Sequence, residues 1–267
     1  MLNIIVGIKW VPDTADVRFD PVKGTLIREG VESIINPPDL NAIELALGLK
    51  EKYGGRVYVI SMAPPAALKG LKMAVAMGAD KAILLTDRRF AGADTLATSY
   101  ALAAAINKIG SYDIVIFGEE TIDSATGHVG PEVGEMLGVP HVSYVKSVLS
   151  VDTASRTVEL EREVEDGVEI LRSSLPVVIS VGVGINSPRY PIPIRRLRAE
   201  VEADKYVETW SADTIGADPS RIGLQGSPTR VVKIIAAPMM ERRREVHQHS
   251  REALNLLVRR LKEWEVL

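Results

Sequence analysis

The chain contains no cysteine, which excludes disulfides, thiolate zinc sites, protein-ligated iron–sulfur clusters and cysteine nucleophiles together. Any redox chemistry therefore requires a bound cofactor. Charge of one sign is also lacking: 32 basic residues face 35 acidic ones, a net charge of −3, so the total offers no broad attraction to nucleic acid or an anionic membrane. No apolar run approaches the roughly 20 residues of a membrane span. The N-terminus, MLNIIVGIKWVPD, has no basic n-region. The chain accordingly reads as cytoplasmic, without direct membrane insertion, and any association with a membrane would come through partner subunits. Neither GxxxxGK[ST] nor GxGxxG occurs, and Gly182-Val183-Gly184 stands in the wrong context, so the usual kinase and dinucleotide fingerprints are missing. His128, His141, His247 and His249 show no triad or metal spacing and read as structural.

What is present is a core-forming chain of 267 residues, 46% hydrophobic, in which strand and helix alternate up to about residue 140. Asn3 to Ile8 is a continuously apolar run of the kind covered on both faces. Asp39, after Asn36-Pro37-Pro38, is placed to cap a helix through Lys52. The unit then repeats: strand Arg56 to Met62, helix Pro65 to Gly78, strand Lys81 to Thr86, helix Asp94 to Ile109, strand Asp113 to Phe117 and a helix from Glu132 to Leu137. That order predicts an α/β fold with a doubly wound, mostly parallel sheet.

From Val142 the period changes. Val158 to Val164 alternates apolar and charged residues, Glu165-Asp166-Gly167 supplies a turn, and Val168 to Leu171 begins a return strand, so an antiparallel hairpin is expected. The stretch from Pro188 to Pro228 is rich in proline, glycine and charge and reads as an extended arm that packs on another chain, whose surface its Tyr206 and Trp210 need. Glu241 to Val266 carries apolar residues near helical spacing with arginines opposite, either a solvated amphipathic helix or a basic interaction surface. The expected division is an α/β nucleotide- or flavin-binding domain over 1–188, an arm over 189–240 and a C-terminal helix over 241–267.

In a parallel sheet, the loops after Ile8, Met62, Thr86 and Phe117 leave the carboxyl ends of strands and share one rim, where open α/β sheets bind ligands. The loop from Gly118 to Val133 leaves backbone amides around Ser124, Thr126, Gly127 and Gly130 just ahead of a helix. It reads equally as a phosphate cradle and as a flexible loop with a cap. At DRRFAGADTLATS, Asp94 can cap a helix, Gly92 permits close approach, and Thr95 and Thr98 present hydroxyls on one face. Arg88 and Arg89 add positive charge, and Phe90 a flat apolar surface. A redox-active ring uses all of these, whereas the plain reading is a capped helix beside surface arginines.

The segments VGIKWVPD, NPPDLNAIELAL, VISMAPP, AMGAD, DRRFAGADTLATSYALAAA, GEETIDSATGHVGPEVGEMLG, EREVEDGVEILRSSLPVVIS and INSPRYP, in that order, resemble the β (small) subunit of electron-transfer flavoproteins over nearly the whole chain. Arg162 to Ser180 is similar to the signature of that family, with Leu160 departing from its usual smaller residue. The resemblance implies an adenine-nucleotide α-hydrolase-like fold, a heterodimer with an α subunit, and electron carriage between dehydrogenases and other flavoproteins. VISMAPP and DRRFAGADTLATSY resemble the electron-bifurcating branch, which holds FAD here, whereas most members hold AMP. That branch usually has glycine where this chain has Ala63, and a Cβ there narrows access to the flavin or nicotinamide. A stand-alone nucleotide sensor of the same α/β type is a third reading, but it leaves the hairpin and arm without a purpose.

Carried over by position, the resemblance implies a site of Gly7 and Lys9, Asn36 and Asp39, and Met62 with Ala63 beside the adenosine or ring. Asp87, Arg88, Phe90, Ala91, Gly92, Asp94, Thr95 and Thr98 would hold the flavin ring and ribityl chain. Gly118, Thr121, Asp123, Ser124, Thr126, Gly127, His128, Val129 and Gly130 would hold the phosphates. Arg89 is the residue expected to tune the flavin. Ile185 resembles an apolar anchor for a partner dehydrogenase and reads equally as a buried strand-end residue. The implied donor is NADH; the implied acceptors are the α-subunit FAD, with a dehydrogenase or quinone oxidoreductase beyond it, and a ferredoxin or flavodoxin.

Overall fold

The computed structural model describes residues 1–13, 18–20, 25–27, 32–230, 232 and 246–266. Strands β1 (Leu2–Gly7), β2 (Trp10–Pro12), β3 (Arg18–Asp20), β4 (Thr25–Ile27) and β5 (Ser33–Ile35) lead into helix α1 (Pro37–Tyr53). The alternation continues with β6 (Gly55–Met62), α2 (Leu68–Met77), β7 (Lys81–Leu85), α3 (Thr95–Ile109), β8 (Ile114–Gly118) and α4 (Val129–Leu137). After these come β9 (His141–Asp152), β10 (Thr157–Val164), β11 (Gly167–Ser174), β12 (Val177–Val181), α5 (Pro193–Val201), α6 (Ala203–Tyr206), β13 (Val207–Trp210) and α7 (Arg251–Glu263).

The main sheet has nine strands in the order β11-β10-β9-β12-β8-β1-β6-β7-β13. From β12 to β13 every neighbouring pair is parallel. β9 also runs parallel to β12, and the expected hairpin of β10 and β11 pairs antiparallel beyond it. Two small antiparallel pairs, β2 with β5 and β3 with β4, lie apart from this sheet. The chain leaves β1 for β6 and β7 on one side and then returns to β8 on the other. The strand order therefore reverses at β1, so the carboxyl ends of β1 and β8 mark the switch point at which open α/β sheets bind ligands.

Helices on both sides explain the unbroken apolar runs. Ile4 and Val6 enter one core cluster with Ile43, Val59 and Leu71, while Ile5 enters the other with Ile60, Ile106 and Val115. Successive strand residues thus face opposite layers, and both layers are buried.

Three expectations need correction. Helix α1 begins at Pro37, with Asn36 in the cap position, so Asp39 lies in the first turn rather than capping it. Prolines fit that first turn because its amides have no intrahelical acceptor. Helix α4 starts at Val129, three residues ahead of the expected Glu132. The third correction concerns the arm, because residues 193–210 form α5, α6 and β13. Strand β13 extends the main sheet by pairing Val207 to Trp210 with Ala82 to Leu85.

Tyr206 packs on one core cluster and Trp210 on the other, with the Lys108 ammonium 5.4 Å from the Trp210 ring centroid. These aromatics thus find their cover within this chain. Met1–Val232 form a single compact unit, so the described part of the arm belongs with residues 1–188. Residues 233–245 lie outside the described residues. Helix α7, within the expected 241–267, is capped by Ser250, whose Oγ accepts from Ala253 N at 3.1 Å.

Candidate functional site

The parallel register brings the loops after β1, β6, β7 and β8 to one rim, as the alternation implies. At the switch point, Asp39 is the organising group. Its carboxylate accepts from Lys9 N at 2.7 Å and from Gly118 N at 3.1 Å, which ties the ends of β1 and β8 together. Only glycine fits at 118, since a Cβ there would stand 2.2 Å from Asp39 Oδ1. Gly7 is similarly confined by the Phe117 ring, 2.1 Å from a built Cβ.

Asp39 is 4% exposed, and burial pushes its carboxyl up to about 7, against the opposing pull of the Lys9 amide, Asn36 and the Gly118 amide. Asn36 completes the staple. Its Nδ2 donates to Glu120 O at 2.8 Å, and its Oδ1 accepts from Ile122 N at 3.1 Å.

The loop after β8 then turns over Lys9. The Lys9 ammonium donates to Asp123 at 2.7 Å and lies 3.4 Å from the hydroxyls of Thr121 and Ser124. Lys9 lowers the Asp123 carboxyl despite partial burial, so the pair stays ionised. Ser124 N and Ala125 N donate to Thr121 O. By contrast, the amides of Thr126, Gly127, His128, Val129 and Gly130 have no acceptor among the described residues. Five successive donors at the positive end of α4, with a lysine across the loop, suit a diphosphate or monophosphate by both hydrogen bonding and charge. His128 contributes its backbone, since its side chain makes no cap bond.

The loop after β7 is arranged differently from expectation. Asp94 does cap α3, accepting from Ala97 N at 3.1 Å. Phe90, expected to offer a flat surface, is 6% exposed and packs in the core cluster of Ile83 and Leu85. Its apolar ring gains more by leaving water than by lining an open rim. Arg89 meets two carboxylates: Nε and Nη2 donate to Asp87, and Nη1 and Nη2 donate to Asp213 at 2.9 and 2.8 Å. Asp213 and Asp87 hold its guanidinium charged well above its ordinary range, and Arg89 in turn holds Asp87 well below the carboxylate range. Its charge is therefore locally compensated. Arg88 beside it is exposed and pairs with no described group.

Thr95 and Thr98 lie on α3 as expected, but the Thr95 hydroxyl donates to Glu132 at 3.1 Å, and Ser99 donates to the other oxygen of the same carboxylate at 2.8 Å. This clasp joins the first turn of α3 to that of α4. Ser99 was not legible as a site residue because serine inside a helix has no distinctive spacing. Ala91 and Gly92 are exposed; Met62 and Ala63 are half-buried at the end of β6, with Ala63 N donating to Leu85 O. Ile185 is half-buried against the first core cluster, between its two expected states.

A strand-order switch point, an amide row at a helix N-terminus and a second loop clasped beside it make this an α/β protein whose rim suits a phosphate-bearing ligand. The Electron transfer flavoprotein domain family model matches residues 23–214. The chain is 48% identical over 262 residues to the electron transfer flavoprotein subunit beta of Clostridium acetobutylicum, covering 98% of both chains. It is 44% identical to Protein FixA of Bradyrhizobium diazoefficiens, over 96% of this chain and 90% of that one. It is 41% identical to the caffeyl-CoA reductase-Etf complex subunit CarD of Acetobacterium woodii, over 89% and 88%. The chain belongs to the electron-transfer flavoprotein β-subunit family. Among the described residues, no helix is long and apolar enough to cross a membrane.

Proposed function

We propose that this chain, paired with an electron-transfer flavoprotein α subunit, holds an FAD and serves electron bifurcation with NADH as donor. The observation that carries this reading is the clasp of Thr95 and Ser99 on Glu132, which joins the N-terminal parts of α3 and α4 and so supports two neighbouring stations. One is the amide row from Thr126 to Gly130, which would hold the phosphates; the other is the loop Asp87 to Asp94, which would hold the ring. A dinucleotide uses both, whereas a mononucleotide needs one. When bound, FAD would accept a hydride from NADH and release two electrons singly, one to the α-subunit FAD and one to a ferredoxin or flavodoxin.

Each residue's part follows from its contacts. Lys9 would neutralise phosphate charge above the amide row. Asp39 and Asn36 would keep that row in register with the end of β1. Met62 and Ala63 would border the ring, where the Ala63 Cβ trims access for the nicotinamide. Asp87 and Arg89 would shape the electrostatics at the ring edge, with Arg88 as the uncompensated charge. The exposed apolar residues Ile192, Ile194, Leu197 and Val201, on and before α5, suit cover by the α subunit. Ile185, with its exposed neighbour Val183, suits docking of a dehydrogenase, in keeping with the name of the CarD relative.

A second reading, AMP held as a structural nucleotide, is favoured by the burial of Phe90 and the compensation of Arg89, which leave the ring station with less to offer. Anaerobic titration of the purified αβ complex with NADH tests the first reading. Bleaching of flavin absorbance that consumes two equivalents per complex is expected, and no bleaching by NADH would refute it.

A further inference from the structure

Residues 211–229 cross back over the loop after β7 and bond to it from end to end. At its start, Ala212 N donates to Asp87 at 3.2 Å and Asp213 takes the outer edge of the Arg89 guanidinium. In the middle, Leu224 N donates to Ala91 O at 3.1 Å. Gly223 lies so close that a Cβ would stand 2.0 Å from Arg89 O, and its φ of +55° suits glycine. At the far end, Ser227 Oγ accepts from Asp94 N at 2.8 Å and donates to Gly223 O at 2.7 Å, while Asp94 accepts from both Thr229 N and Thr229 Oγ1. Ser227 is 8% exposed, so its bonds are shielded from water.

We infer that this segment is a strap that sets the shape of the Asp87–Asp94 loop, with Asp213 and Ser227 as positioning residues for the bound cofactor. The chemistry is specific. Asp87 and Asp213 together occupy four of the five guanidinium N–H groups, so Arg89 has only one Nη1 proton and its planar faces left for a ligand. Without Asp213, the outer edge is free to swing and its positive charge is left to Asp87 alone. Ser227 acts on the other end, where its oxygen fixes the backbone that presents the α3 N-terminus. The inference rests on the reading of this loop as the ring station.

The test uses the αβ complex carrying Asp213→Asn, Asp213→Glu or Ser227→Ala. Two quantities are read: amide hydrogen exchange in peptides covering residues 87–94, and the rate at which bound nucleotide is lost on dialysis, with the released nucleotide identified. Asp213→Asn should speed exchange about two- to fivefold, as expected for an exposed ion pair, and Ser227→Ala by about fivefold or more. Nucleotide loss should accelerate in both variants, and Asp213→Glu should restore wild-type behaviour by returning the carboxylate. Wild-type exchange in Asp213→Asn and Ser227→Ala overturns the strap, and faster exchange with unchanged nucleotide retention overturns its service to the site. AMP as the released nucleotide would refute the flavin reading separately, leaving the exchange result to decide the strap.

Discussion

Asp39 and Asp213 are both aspartates that hold a rim loop, yet one is 4% exposed and the other has a side chain 81% exposed. Asp39 is enclosed by the ends of β1 and β8 and bonds to backbone; Asp213 reaches across water to a side chain. A buried acceptor that loses its donors incurs a full desolvation penalty, whereas an exposed ion pair changes the energy little. The switch point is therefore held from within, whereas the loop after β7 owes one of its holds to a contact at the surface.

The largest expected effect comes from cutting the chain after residue 188. The cut removes β13 and exposes the edge of β7, along with the apolar faces that Tyr206 and Trp210 cover. Loss of cooperative thermal unfolding is expected, and a truncated core melting like the whole would break the account of the arm.

Gly118→Ala comes next, because no shift relieves a Cβ 2.2 Å from a buried carboxylate without opening the β1–β8 staple. A loss of about 2–4 kcal/mol in urea unfolding is expected, as for other overpacked sites. Gly48→Ala sharpens the comparison, since nothing lies within 4 Å of its Cβ. In a helix interior that change should stabilise by about 0.5–1 kcal/mol.

Asp39 predicts a pH signature. Its folded pKa is raised, so the stability it contributes is greatest below the ordinary carboxylate range and is lost as pH rises through about 7. Asp39→Asn should flatten the stability curve across that window, measured by urea midpoints at successive pH values. An unchanged slope would show that Asp39 does not titrate there. Smallest of all, Arg89→Ala should shift global stability by less than about 1 kcal/mol while changing the flavin potential, read by spectroelectrochemistry. Unchanged potentials would remove Arg89 from its tuning role.

Legibility followed the range of the contacts. The parallel core could be read because Ile4 to Val6, Val59 with Ile60, and Ile114 to Phe117 are buried on both faces and therefore apolar throughout. The amide row was open to reading from Gly127 and Gly130 around the start of a helix. Strand β13 was not, because Val207-Glu208-Thr209-Trp210 owes its place to the free edge of β7, which no local pattern announces. Asp213 and Ser227 were equally silent: their partners lie 124 and 133 residues away. Phe90 misled for a related reason, since an aromatic beside two arginines looks like a binding surface until the core beneath it is known.

The central claim is that the rim of this subunit grips a dinucleotide across two stations. Its most direct measurement is the nucleotide content of the αβ complex, co-expressed, purified with FAD present and released by denaturation. The account predicts two FAD per heterodimer and no AMP; one FAD with one AMP would contradict it.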